Sequence, residues 1–399
     1  MNKDMHIKEN VVNRGSLLPA LTMSSFTASS ANVVTSILLI EIGSSFGVSV
    51  GIAGQIRTLS YTIAIFSSIL LGVLSLRYAF KSLLLIGLLA SIASSLGSGL
   101  SLDFNMMLVS YSLNGIGMSM ILPMVFSLVA EYYSIEKRSN IIGLLIASQI
   151  SSATVGSLVT SYISEIGGWR VAFLGYVFPV ALLSLILAYK MLPTIKHAEK
   201  SIEINAYDGF KEVLSHRSAL SCLIGFAFST SAFQAIATYS ASYYRQIFHL
   251  STGFTATYFI AASICFILGS LSSGRLVNRF GRKSLAAFSV LLAGIFSILF
   301  FNIPIVLISM AIAFGSAFFN GMRNAAATSL TLEQVPRFRG VMMSLYSVAD
   351  NLGMAFGAGI GGYMLLLYDY YIMGVFLGSL GIISAIIFHF FTKDPTTNK

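Results

Sequence analysis

Charge is what this sequence has least of. Only 10% of its 399 residues are Asp, Glu, Lys or Arg, against 56% hydrophobic. A soluble domain carries about 25% charged residues. Fifteen acids and twenty-four Lys and Arg cannot coat a water-soluble body of this length. A soluble globular fold is therefore excluded, and lipid is the remaining solvent. Cysteine is nearly absent. Cys222 and Cys265 both fall in apolar stretches, which leaves no disulfide framework and no thiolate metal centre. No G-x-x-x-x-G-K-[ST] phosphate loop occurs, so ATP is not expected as a direct energy source. The five histidines, His6, His197, His216, His249 and His389, form no metal-spaced pair. An integral membrane enzyme would need His, Asp or Glu clustered at one membrane face. The sequence offers no such cluster, so neither an enzyme nor a cofactor is expected. No removable signal peptide is expected either, because the first apolar stretch is long enough to span.

Apolar length is what the chain has instead. A spanning helix needs roughly 20 apolar residues. Twelve candidates lie near 17–40, 50–74, 82–102, 104–130, 140–164, 171–192, 219–243, 252–274, 284–302, 304–331, 340–366 and 370–391. An all-α membrane protein of twelve crossings is predicted, with Pro304 in the first turn of segment 10. The net charge of +9 is not gathered on one run. The cations sit in short loops between segments, so they read as topology signals, and no nucleic-acid partner is expected. With the N-terminus inside, twenty Lys and Arg lie on the cytoplasmic side and only Arg170 and Arg245 outside. That bias predicts a multi-pass protein of the cell (inner) membrane with both termini cytoplasmic. The one long polar stretch divides the chain into a first six-helix bundle at 1–192, a cytoplasmic linker at 193–218 and a second bundle at 219–399. A short surface helix is expected over 207–214.

The chain also repeats itself. Gly72-Val-Leu-Ser-Leu-Arg77-Tyr-Ala-Phe-Lys81-Ser82 returns 202 residues later as Gly274-Arg-Leu-Val-Asn-Arg279-Phe-Gly-Arg282-Lys283-Ser284. A membrane unit built twice is the signature of a secondary transporter whose halves rock about a central site. The glycines of the loop are expected to let helices approach and turn tightly. The cations Arg77, Lys81, Arg279, Arg282 and Lys283 are expected to gate and to hold the loop inside.

The second copy resembles the loop motif G-x-L-x-D-R-x-G-R-K of the major facilitator superfamily. Gly168-Trp169-Arg170-Val-Ala-Phe173 is similar to that family's G-W-R-x-x-F after helix 5. Asn114-Gly115-Ile-Gly117, with Pro123, resembles its helix 4. The resemblance implies twelve helices in two pseudo-symmetric bundles, alternating access, a gradient as energy source and a monomer as the complete unit. It also implies that helices 1, 4, 7 and 10 surround the solute. The sequence departs from the family in places. The motif aspartate is replaced by Leu76 and Asn278, the helix 4 arginine by Tyr111, and only Gly156 survives of the helix 5 antiporter motif.

A charge at the bilayer centre costs at least ~2.5–3.5 kcal/mol, so each one needs a reason. Arg323 in segment 10 and Asp350 in segment 11 reach the same depth, ~15 Å from the cytoplasmic side at 1.5 Å per residue. They are expected to form a buried pair facing the cavity. Asp350 would take the coupling proton, or Arg323 would hold an anionic solute group; the bland alternative is a static ion pair that fixes helix packing. Arg57 falls near the outer interface, where it snorkels to headgroups, forms an outer gate or lines an anion-attracting vestibule. Asn32, Asn114, Gln234, Tyr239 and Asn324, on segments 1, 4, 7 and 10, are the neutral candidates for solute contact. The leading expectation is proton-coupled export of a metabolite or drug-like compound. The alternative is proton-coupled uptake of a small organic anion, and a remote third is a non-transporting membrane sensor.

Overall fold

A computed structural model describes residues 17–75, 78–133, 135–193 and 206–395. Among them the chain is helical throughout: α1 Leu18–Ile37, α2 Leu39–Ser45, α3 Val50–Ala53, α4 Gln55–Leu74, α5 Phe80–Gly99, α6 Phe104–Tyr132, α7 Ile135–Ala172, α8 Phe178–Met191, α9 Ala206–Ser215, α10 Arg217–Ile247, α11 Thr252–Phe280, α12 Arg282–Asn302, α13 Val306–Leu332, α14 Arg339–Leu367 and α15 Tyr370–Phe390. Eight helices among the described residues are long and apolar enough to cross a membrane, nine if the pair α1 and α2, bent by 65°, is one span. One of these, Leu144–Met191, runs for 48 residues, which is two crossings. Gly168, at φ 75° and ψ −175°, divides it. α4 and α14 carry Arg57 and Asp350 and complete the twelve crossings expected.

Short polar signals set the helix starts. Asp103 Oδ1 accepts from the Met106 amide at 2.8 Å and Asp369 Oδ1 from the Ile372 amide at 3.0 Å, each satisfying an orphan donor of a first turn. Gly281, at φ 81°, ends α11 in a conformation that glycine adopts without strain. Pro304 does not sit inside segment 10 as expected. α13 begins at Val306 with Ile305 extended before it, so the proline separates α12 from α13. The residue ahead of it, Ile303, is also extended, at φ −102° and ψ 114°, as the pyrrolidine ring requires.

Neighbours in the chain pack together, and so do helices far apart in it. α5 lies on α6, α1 on α7 and α4 on α6; α12 lies on α15, α11 and α12 on α13, and α10 on α14. The first six crossings and the last six meet along α4–α14, α7–α11 and α1–α10. α9 docks on the last six through Val213, which is buried with Leu223, Val335 and Met342. Close approach relies on glycine where backbones nearly touch. A Cβ at Gly357 would collide with the Ser231 carbonyl of α10, and one at Gly362 with the Gly51 carbonyl of α3. The repeated loop motif behaves differently from expectation. A Cβ at Gly72 or Gly274 would meet nothing, because both face open space at the end of the bundle that carries the termini.

Candidate functional site

Two buried polar clusters hold the charges that the sequence places inside the spans. The first lies between α10, α13 and α14. Arg323 is 3% exposed. Its Nη1 donates to Ser229 Oγ at 2.7 Å and to Thr230 Oγ1 at 3.1 Å. Thr230 in turn donates to Asp350 Oδ1 at 3.1 Å. The expected direct ion pair is therefore replaced by a relay, in which one α10 hydroxyl accepts from the cation and donates to the acid. The physical reason is position: α10 runs beside α14, and its Ser229-Thr230 step fills the space between the two charges. The Arg323 guanidinium also lies over the Phe226 ring at 5.0 Å, an attraction added to its hydrogen bonds. Phe226 packs against Tyr346 with centroids 4.1 Å apart. The Tyr346 hydroxyl is 2.6 Å from Thr328 Oγ1 and donates to Asn324 Oδ1 at 3.4 Å. Arg323, Asn324 and Asp350 are thus brought together.

The second cluster lies between the first six crossings and the last six. Arg57 is 4% exposed, so the snorkelling alternative is overturned. Its side chain turns inward because hydroxyls on α1 and α4 receive it. Nη1 donates to Ser36 Oγ at 2.5 Å and Nη2 to Tyr61 Oη at 2.8 Å, one turn further along the same helix. Nη1 also reaches the Ala237 carbonyl of α10 at 3.4 Å. The Gln234 amide donates to Tyr61 Oη at 3.1 Å and to Thr238 Oγ1 at 2.9 Å.

The remaining expected residues fall out separately. Asn32 accepts from Tyr111 at 2.9 Å. The tyrosine that stands where the family has an arginine thus ties α6 to α1. Asn114 is buried with Nδ2 unpartnered among the described residues. Tyr239 is fully buried and donates to the Ala358 carbonyl at 2.7 Å; it packs over Gly54 and Gly361 and joins neither cluster. Of the gating cations, Arg77 lies outside the described residues. Lys81 caps the carbonyls of Tyr189 and Leu192 on α8, within the first six crossings. Arg279 lies over its neighbour Phe280 at 5.3 Å. Arg282 has Nη1 buried without a partner among the described residues, and Lys283 is half-buried. Several span hydroxyls bond back to their own helix, as Ser24 does to Ala20 O at 2.7 Å.

The contacts between the two sets of helices are unevenly placed. Besides the Arg57 cluster, Ser36 donates to Ala237 O at 3.0 Å, Gln55 to Gly359 O at 3.2 Å, and Arg245 to Glu41 at 2.7 Å. All these bonds lie in the half of the bundle away from the termini. Arg323 and Asp350 lie in the other half, ten and eleven residues from Glu333 and Arg339. The sequence did not point to Ser36, Tyr61, Ser229, Thr230 or the Glu41–Arg245 pair. Only the spacing Arg57-x-x-x-Tyr61, one turn of helix, carried a signal.

Apolar helices in two sets, hydrogen-bonded to each other at one end among the described residues, with charge buried inside, define a multi-pass membrane protein. Comparison with known proteins gives the family. The sequence profile of the Major Facilitator Superfamily matches residues 20–273 and 258–399. The uncharacterized MFS-type transporter YwfA of Bacillus subtilis is 23% identical over 92% of this chain and 90% of its own. Multidrug resistance protein 1 of the same organism is 25% identical over 73% and 74%. A solved bacterial homolog of the human lysosomal transporter Spinster, in an inward-facing and unoccupied conformation, superposes with a TM-score of 0.72. It has 16% identity and the match covers 96% of this chain and 99% of that one. The chain belongs to the Major Facilitator Superfamily.

Proposed function

We propose that this transporter exports a small organic solute, a metabolite or drug-like compound, by alternating access coupled to protons. The bundles 1–192 and 219–399 rock against each other, joined by the linker 193–218, in the inner membrane with both termini cytoplasmic. One observation carries the reading: among the described residues, the hydrogen bonds between the two sets of helices are gathered at one end, while the buried acid lies towards the other. An interface held by a few polar contacts can part, and parting there requires closure near Asp350 if the solute is not to leak. Asp350 takes the proton, and the Thr230 hydroxyl passes its state to Arg323. One chain is the transporting unit. Export is supported by the likeness to a multidrug resistance protein; uptake of an organic anion is the second reading, favoured by the two buried arginines Arg57 and Arg323.

The test is proton flux in sealed proteoliposomes holding a pH-sensitive dye. Candidate solutes are added to wild type and to Asp350→Asn under an imposed pH gradient. Solute-dependent proton movement in wild type, lost in the variant, is expected. Equal proton movement in both would remove Asp350 from the coupling.

A further inference from the structure

Arg57 is a buried cation with no acid. Among the described residues no carboxylate lies within ion-pair distance of it; the pair found is Arg245 with Glu41, at 2.6 Å. Its partners are neutral: two hydroxyls and one carbonyl. Asp350 is already linked to Arg323 through Thr230. Among the described residues the charges held in the span interior are therefore two arginines and one carboxylate, one cation in excess when Asp350 is ionised and two when it is protonated. An uncompensated charge so fully buried is costly and marks a functional group. A static staple for the closed end would need only a neutral amide, as Gln234 and Gln55 show in the same interface.

The geometry of the guanidinium says where the missing charge goes. Nη1 holds Ser36 and Ala237, and Nη2 spends one hydrogen on Tyr61. Nε is buried and bonded to nothing among the described residues. Nε and Nη2 flank one edge of the planar fork, the edge that carboxylates take in bidentate fashion. That edge is buried while α10 lies against α1 and α14 against α4. When the interface parts, Ala237 O leaves Nη1 and the Gln234 amide leaves Tyr61, and the edge is freed.

We propose that the transported solute is an organic anion, and that the Nε–Nη2 edge of Arg57 binds its carboxylate when this end of the bundle is open. Arg57 then serves two states: a neutral-dipole latch when the end is closed and an anion receptor when it is open. A bound monoanion neutralises the interior with Asp350 ionised; a dianion does so with Asp350 protonated. This rests on the alternating-access reading above and holds for either direction of transport.

The experiment uses the full chain with Cys222→Ser and Cys265→Ser and spin labels at Ser44 and Ile247, exposed positions on either side of the closed end. Their distance is measured in nanodiscs with matched probes at one ionic strength: sodium benzoate, benzamide and benzyltrimethylammonium chloride. Benzoate is expected to enlarge the long-distance population of wild type at least threefold over benzamide. Arg57→Gln abolishes that preference, and Arg57→Lys, which keeps charge without the fork, retains under a third of it. A benzoate response no larger than the benzamide response, or one that survives Arg57→Gln, overturns the anion proposal. The wild-type comparison stands even where a variant fails to fold. If both populations are present but benzoate enlarges the long one no more than benzamide does, alternating access stands although the anion proposal fails; a single short distance under every probe overturns both.

Discussion

Thr230→Val keeps the shape of the side chain and removes the hydroxyl that joins two buried charges. In wild type that hydroxyl accepts from Arg323 at 3.1 Å and donates to Asp350 at 3.1 Å. Hydrogen bonds to charged groups contribute about 1.5–3 kcal/mol each. Losing two of them sets a ceiling of about 3–6 kcal/mol on the same scale. Arg323 keeps Ser229 at 2.7 Å and the Phe226 ring at 5.0 Å, so its side of the loss is partly recovered. Among the described residues Asp350 has no second protein donor. The net loss is therefore about 2–4 kcal/mol, dominated by a carboxylate left without its donor. SDS titration of purified protein measures it, and Thr230→Ser recovers most of it by restoring the hydroxyl. Proton-coupled flux falls with the valine variant and returns with serine. A valine variant within about 0.5 kcal/mol of wild type, inside the scatter of ordinary surface substitutions, would refute the relay.

Other outcomes follow from the same contacts. The Glu41–Arg245 pair is partly exposed, so it is worth at most about 1 kcal/mol; Glu41→Gln shifts the Ser44–Ile247 distance towards the open form by no more than about fivefold, and the double swap Glu41→Arg with Arg245→Glu restores it. Gly357→Ala drives a methyl into the Ser231 carbonyl and destabilises by about 1–3 kcal/mol, whereas Gly72→Ala, which meets nothing, is neutral or stabilising by up to about 1 kcal/mol; thermal melting of the two separates them. Asp350→Asn retains solute binding and loses acceleration by a pH gradient, measured as counterflow against gradient-driven flux in the same vesicles.

The crossings were legible because lipid forces long apolar runs, and the repeated loop motif with its cations fixed their count. The positions of Arg323 and Asp350 followed from counting along helices whose cytoplasmic ends were marked by Glu333, Arg337 and Arg339. What joins them was not legible, since Thr230 is one hydroxyl among many on α10, and only the rotation of that helix sets it apart. The alternatives for Arg57 stay open in the sequence for a related reason. Depth can be counted from the sequence, but whether a side chain at that depth turns to headgroups or to a neighbouring helix depends on Ser36 and Ala237, which are 21 and 180 residues away. Tyr239 shows the converse: a polar group on a helix expected to line the solute path that spends its hydroxyl on the Ala358 carbonyl. Pro304 marked the end of a turn rather than the start of a helix, one residue pair out of register.

The central claim is that the two sets of helices part at one end as they close at the other. Two spin-label pairs on otherwise identical protein test it, Ser44 with Ile247 at the closed end and Tyr78 with Phe280 at the end that carries the termini, all four exposed. The account predicts that lowering the pH or adding a bound solute lengthens the first distance and shortens the second in the same proportion of molecules. Two distances that lengthen together, or a second distance that stays fixed while the first changes, would contradict it.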